Sequence, residues 1–157
     1  MPLPPLTRIG DLPLGVHRAS LQESSRLRTR REVLDRFGAG SRKRTAVAKR
    51  LERVYRLALD TGHLARFVVF GSFVTDKPEP NDVDVFLVME DTFDGAKLQG
   101  EAALLFDHAA ADVHFGASVF WVRRLGALGG EQTTIEYWQA MRGGGQRGIV
   151  EIAEETP

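Results

Sequence analysis

The sequence reads Arg66-Phe67-Val68-Val69-Phe70-Gly71-Ser72 and, after nine further residues, Asp82-Val83-Asp84-Val85-Phe86-Leu87-Val88-Met89. Aromatic and β-branched residues dominate the first segment before its Gly-Ser, which predicts a short buried strand. Beyond its two acids the second segment is apolar on both faces, as expected of a strand in the middle of a covered sheet. The polar segment between them contains Pro78 and Pro80, so it is predicted to be a loop.

A helix preceding these strands is the clearest helical prediction. Ser41 is a plausible N-cap, and Gly62 should end the helix. Its apolar residues recur at helical spacing at Val47, Leu51, Val54 and Ala58. We expect the other faces to carry a basic exterior, formed by Arg42, Lys43, Arg44, Lys49, Arg50, Arg53 and Arg56.

The remaining elements follow from weaker signals. We predict a first helix from a capping box at Ser20 to Gly38, a third helix over 95–110 and a third strand over 113–122. A short helix over 131–141 and a final strand over 148–152 complete the chain. The sequence therefore predicts one α/β (α+β) domain over residues 1–157, a small mixed sheet flanked by helices. Residues 1–40 form its N-terminal extension and first helix, and residues 41–157 its core.

The composition is that of an ordinary globular protein, with 43% hydrophobic residues and no cysteine. Disulfides and thiolate metal sites are thereby excluded. No apolar run approaches the roughly 20 residues of a membrane span. The first residues also lack the basic and apolar regions of a signal peptide. We therefore expect a cytoplasmic protein with no membrane partner.

The net charge of zero conceals an uneven distribution of charge. Residues 1–66 contain 15 Lys/Arg and 6 Asp/Glu, whereas residues 67–157 contain 6 and 15. This split fits a basic surface for phosphate-rich partners, RNA among them, beside an acidic site for cations. Pairing between the two halves explains it equally well.

The two acids that open the second strand are the main candidates for chemistry. Side chains alternate along a strand, so Asp82 and Asp84 project from one face, about 7 Å apart at Cα. Two carboxylates at the mouth of a sheet repel each other, and a divalent cation relieves that cost. Their oxygens suit Mg²⁺ or Mn²⁺, and Gly71-Ser72 leaves room for a phosphate at the backbone.

With these residues the chain resembles the nucleotidyltransferase superfamily, which has the DNA polymerase beta-like fold. Phe70-Gly71-Ser72 and Asp82-Val83-Asp84 match the superfamily signature position by position. The segments 12–17, 71–75 and 147–152 also resemble a poorly characterised bacterial family within it. The resemblance implies a minimal nucleotidyltransferase fold. It also implies that Gly71 and Ser72 contact nucleotide phosphates and that Asp82 and Asp84 are catalytic and ligate two metals.

The resemblance further implies a third carboxylate on a later strand, as general base or metal ligand. Asp112, at the start of the predicted third strand, is the only acid near it. If the position instead falls at Ala117 or Ser118, no acid occupies it. Lys77 lies in the loop beside the site, where it could meet a triphosphate. Arg123 and Arg124 at the end of the third strand are weaker phosphate candidates.

Two main functions remain open from the sequence, and a weaker third is RNA binding through the Arg-rich helices without nucleotide chemistry. The first is metal-dependent transfer of an NMP from an NTP, with ATP the expected one, to a hydroxyl on protein, RNA or a small molecule. The second is a catalytically weak or inactive binding module of the same fold, acting on a partner as an antitoxin or regulatory subunit does. A domain of this size has little room for an acceptor, which favours a homo-oligomer or a partner subunit.

Overall fold

The computed structural model describes residues 27–75, 77–126, 130–143 and 149–153. They contain five strands and five α-helices. The strands are β1 (Leu27–Thr29), β2 (Leu64–Phe70), β3 (Val83–Met89), β4 (Ala117–Arg123) and β5 (Ile149–Ala153). The helices are α1 (Arg30–Phe37), α2 (Arg42–Asp60), α3 (Glu101–Leu105), α4 (His108–Phe115) and α5 (Glu131–Gly143).

All five strands belong to one open mixed sheet in the order β1-β5-β2-β3-β4. β2 pairs antiparallel with β3 and with β5, whereas β4 is parallel to β3 and β1 is parallel to β5. Phe70 at the end of β2 lies opposite Asp84 at the start of β3. The α+β class and the mixed sheet flanked by helices, as predicted, are confirmed.

The sheet is covered on both faces by different helices. Buried side chains of α1, α2, α3 and α4 form the larger core with one set of alternate strand residues, which includes Val69, Val85 and Val119. Ile135 of α5 packs on the other set, which includes Val68, Phe70 and Phe86. The continuous apolar runs of β2 and β3 therefore reflect burial on both faces.

Helix α2 follows the sequence prediction closely. The Ser41 side chain accepts a hydrogen bond from the Arg44 amide at 3.1 Å and caps the helix. The four predicted apolar residues are all buried. One residue departs from the prediction of a basic exterior, because Arg44 is itself buried with 7% of its surface exposed.

The predicted boundaries of three elements are wrong, namely those of the first helix, the third helix and the third strand. The first helix begins at Arg30, because Leu27–Thr29 pair with β5 and Thr29 forms a capping box with Glu32. The predicted cap at Ser20 lies outside the described residues. The third helix is replaced by a 3₁₀ turn and the short helices α3 and α4, with Asp107 capping α4.

The third strand begins at Ala117, four residues later than predicted. Asp112 and Val113, assigned by sequence to the start of that strand, lie inside α4. Gly116 ends α4 with a left-handed φ of 67°, which turns the chain into β4. Asp112 contributes its carbonyl to that turn by accepting a hydrogen bond from Gly116 N–H at 3.1 Å.

Ion pairs and hydrogen bonds connect α5 to the end of the sheet where β2 begins. Arg66 of β2 pairs with both Glu151 oxygens at 2.7 and 3.0 Å, with Gln132 at 3.0 Å and with Glu131 at 3.5 Å. Arg124 also contacts Glu131. These groups lie at the far end of the sheet from Phe70 and Asp84, because Leu64 at the start of β2 pairs with Met89.

Helices long and apolar enough to cross a membrane are absent from the described residues.

Candidate active site

The candidate site lies at the end of the sheet where β2 ends and β3 begins. This region, which contains Gly71, Ser72, Asp82 and Asp84, is called the mouth of the sheet. Asp84 is half-buried in β3, and its neighbours across the sheet are Phe70 of β2 and Ser118 of β4. Asp82 immediately precedes β3 and is exposed. The structure thus sets one carboxylate into the sheet and the other at its rim, both at the mouth that the sequence predicts.

Gly71 is required by the geometry of this mouth. Its φ of 96° is strained for residues with a Cβ. A Cβ built on Gly71 would lie 2.7 Å from Asp84 Oδ2, inside the contact distance of real Cβ atoms. The absent side chain therefore lets the Asp84 carboxylate lie directly against the backbone of the Gly-Ser turn.

Ser72 begins the 3₁₀ turn Ser72–Val74 that follows Gly71. The turn is closed at Thr75, whose N–H and Oγ1 donate to the Ser72 carbonyl at 3.2 and 2.7 Å. Val74 N–H donates to the Gly71 carbonyl at 3.3 Å. These bonds hold Gly71 and Ser72 in a fixed turn, with Ser72 half-buried beside the acids.

Arg44 holds the loop that follows the turn. Its guanidinium donates to the carbonyls of Phe37 at 3.0 Å, Phe73 at 2.8 Å and Thr75 at 2.7 Å, and also to that of Lys77. It also lies 5.7 Å from the Phe73 ring centroid, in cation–π range. One buried cation therefore ties α1, the 3₁₀ turn and the loop to α2.

Sequence reasoning placed Arg44 on the exterior of the helix and missed this role. A signal was nevertheless present, since Arg44 precedes Val47, Ala48 and Leu51 by three, four and seven residues. It therefore extends the apolar stripe of α2 by one turn toward the N-terminus. A charged residue on such a stripe must find buried partners, and here they are backbone carbonyls.

Two further cations of α2 converge on Asn81, the residue before Asp82. Lys43 Nζ donates to Asn81 Oδ1 at 2.9 Å, and Arg50 Nη1 donates to the Asn81 carbonyl at 3.3 Å. The Arg50 side chain also lies against Gly116, where a Cβ would approach its Cδ and Nε to 3.2 Å. Arg50 therefore spans the starts of β3 and β4. From the sequence, both residues are predicted only as part of the basic exterior of α2.

Asp112 is not brought to the acid pair. Its helix, α4, packs through Ala111 and Phe115 into the larger core, which covers the face of the sheet opposite to Asp84. The Asp112 side chain is exposed. The β4 residue beside Asp84 is Ser118, so the strand position next to the pair carries a hydroxyl.

Lys77 lies apart from Arg123, which ends β4, and from Arg124, which follows it. Lys77 is exposed in the loop, with its backbone N–H donating to Thr75 Oγ1 at 3.2 Å. Arg123 pairs with Met89 and Arg124 follows it, so both lie at the far end of the sheet. A hydrogen bond to Glu131 raises the pKa of Arg124, which is engaged there with Glu131 and Glu90. Neither arginine lies at the mouth.

The donor set at the mouth fits a hard divalent cation. Asp82 and Asp84 supply carboxylate oxygens, and Mg²⁺ commonly takes one or two carboxylates together with substrate phosphates and water. In the part of the chain that the structure describes, no group of three or more His, Asp or Glu side chains is placed to hold a metal. A cation bound here would take carboxylate oxygens from Asp82 and Asp84 and its other ligands from phosphate or water.

These features define an α+β protein with an open mixed sheet, in which Asp82 and Asp84 lie at the end where β3 begins. The chain belongs to a family of unknown function, DUF6932, whose model matches residues 4–153. Comparisons with curated proteins and with solved structures found no match.

Proposed function

We propose that the mouth of the sheet binds a nucleoside triphosphate with Mg²⁺ or Mn²⁺ and transfers its NMP to a hydroxyl. The acceptor belongs to a protein, an RNA or a small molecule, and ATP is the expected donor. The observation that carries the proposal is the contact between Gly71 and the Asp84 carboxylate. Because Gly71 has no side chain, a phosphate can approach its backbone. A cation can bind the adjacent Asp84 carboxylate and the same phosphate.

In this reaction a bond forms between the acceptor oxygen and the α-phosphorus. The bond to the bridging oxygen breaks, pyrophosphate leaves, and the acceptor proton passes to water. When bound, the cation neutralises phosphate charge and lowers the pKa of a hydroxyl or water ligand. Asp82 and Asp84 hold it, while the Gly71-Ser72 turn positions the phosphates with backbone N–H groups and the serine hydroxyl.

A catalytically weak or inactive binding module is the second candidate. The observation that favours it is Ser118, since a neutral hydroxyl stands beside Asp84 where a third acid would complete the site. Asp112 does not take that place, because it lies inside α4 with its side chain exposed, whereas Ser118 is the strand residue beside Asp84. Such a module would bind the nucleotide and act through a partner subunit or a second copy of the chain. Either function would be cytoplasmic, where nucleoside triphosphates are supplied.

The test is transfer of label from α-³²P-labelled NTPs with Mg²⁺ or Mn²⁺, to RNA with a free 3′-hydroxyl, glycerol and the protein itself. We expect transfer by the wild type and a loss of about 100-fold in Asp84→Asn, since charge stabilisation by a metal is worth several kcal/mol. Asp112→Asn is the matched control and should retain full activity.

The outcomes separate the candidates. Metal-dependent binding of NTP without transfer to any acceptor would favour the binding module. Loss of transfer in Asp112→Asn would contradict the placement of the site at the mouth. If well-folded wild type neither binds nor transfers any nucleotide, both candidates are wrong.

A further inference from the structure

Two positive side chains lie around Asn81, close to the two acids of the proposed nucleotide site. Asp82 and Asp84 carry two negative charges at the mouth and, by themselves, repel a triphosphate. Lys43 and Arg50 bring two positive charges to the residue directly before Asp82. Both cations contact oxygens of an uncharged residue, so neither is committed to an ion pair by these contacts.

Although α2 packs on the face opposite to Asp84, the Arg50 side chain reaches the end of the sheet where β3 begins. Its side chain lies across Gly116, which precedes Ala117, the β4 partner of Val83. Its guanidinium has five N–H donors in a planar fork, and the contact with Asn81 uses one of them. Such a fork matches two phosphate oxygens, and an ammonium such as that of Lys43 supplies a point charge.

The other cations of α2 lie elsewhere or have other partners. Arg53 pairs with Glu101 and lies over the Phe115 ring, and Arg56 pairs with Glu52 at 3.3 Å. Arg44 is buried among carbonyls. Lys49 is exposed on the helix beside Ser41, Arg42 and Thr45, along a surface groove.

We propose that Lys43 and Arg50 bind the polyphosphate tail of the nucleotide and make the site selective for triphosphates over monophosphates. This inference rests on the proposed function for the nucleotide itself. It adds that the phosphates beyond the α-phosphate extend over Asn81 toward α2. Lys43 and Arg50 then balance the charge of the tail as Asp82 and Asp84 balance that of the cation.

The test measures Mg²⁺-dependent affinities of tripolyphosphate, an NTP and the matching NMP for wild type, Lys43→Gln, Arg50→Gln and Lys49→Gln. We expect tripolyphosphate and NTP to bind at least about 10-fold more weakly to each of the first two variants. The NMP affinity should change less than threefold, and Lys49→Gln, the control on the same helix, should match wild type. Arg50→Lys should recover part of the loss.

Each result is decisive because NTP and NMP are compared within one protein, which removes any general loss of folding. Equal weakening of NTP and NMP in both variants would overturn the inference, as would unchanged tripolyphosphate affinity or a wild type that binds no tripolyphosphate. If tripolyphosphate binds through Lys43 and Arg50 but no nucleotide binds, the polyphosphate contact stands, whereas the proposed function and the selectivity between nucleotides fail. If NTP binds without regard to these two residues, the proposed function stands and the inference fails.

Discussion

Replacing Arg44 by Met is expected to lower the free energy of unfolding by about 3 kcal/mol. The variant fills most of the same volume but removes every hydrogen bond from the guanidinium to the carbonyls of Phe37, Phe73, Thr75 and Lys77. A carbonyl left without a partner in a buried position costs about 1–3 kcal/mol. Recovered desolvation of the guanidinium and hydration of the outer carbonyls offset part of that sum.

Urea unfolding followed by circular dichroism measures this effect, with the slope checked to confirm that the denatured state is unchanged. Arg42→Met is the matched control, because Arg42 is exposed on the same helix turn, and it should shift stability by less than about 0.5 kcal/mol. Arg44→Lys should fall between the two, because an ammonium cannot span the same set of carbonyls. Equal stability of Arg44→Met and Arg42→Met would contradict the assigned role.

Replacing Gly71 by Ala is expected to destabilise the protein and abolish nucleotide binding together. A side chain at φ 96° and ψ −165° costs about 1–3 kcal/mol in backbone strain, because this region is accessible essentially to glycine alone. The new Cβ must also displace the Asp84 carboxylate, whose Oδ2 would lie 2.7 Å away. The strain lowers stability, and the displacement moves Asp84, one of the two proposed cation ligands.

Gly40→Ala separates these two effects. Gly40 has a φ of 108° and open space within 4 Å, so alanine there meets strain without a clash. We expect Gly40→Ala to bind nucleotide normally, measured by calorimetry below its unfolding transition. Gly71→Ala should lose at least about 100-fold in affinity, since each tenfold corresponds to about 1.4 kcal/mol. Retained binding in a folded Gly71→Ala protein would show that the Asp84 position is not required.

The strands around the site were predictable because their signals are local. Two apolar segments buried on both faces, with prolines between them, identify β2, the loop and β3 without knowledge of their partners. Ser41 and the apolar spacing likewise define α2. In each case one short segment carries the whole pattern.

The errors arose where the outcome depends on distant partners. Leu27–Thr29 form a strand because they pair with β5, and no pattern in their own sequence indicates that pairing. Val113 and Phe115 look like strand residues, yet Asp107 caps a helix that holds them until Gly116. That shift of four residues moved Asp112 into α4 and placed Ser118 beside Asp84.

The positions of the candidate site residues could be predicted in part. Gly71, Ser72, Asp82 and Asp84 lie together at one mouth, as their spacing indicated. The contacts of Lys43 and Arg50 with Asn81 could not be predicted, because they depend on how α2 packs against the loop. The activity of the mouth remains a prediction.

Calorimetric titration of ATP and the other NTPs into the wild type, with Mg²⁺ or Mn²⁺ and with EDTA, tests that activity most directly. We predict binding that requires the cation and that weakens at least about 100-fold in Asp82→Asn/Asp84→Asn, because each lost charged ligand costs several kcal/mol. Folded wild type that binds no NTP with either cation, or a double variant that binds as tightly as the wild type, would contradict the assignment of a nucleotide site to this mouth.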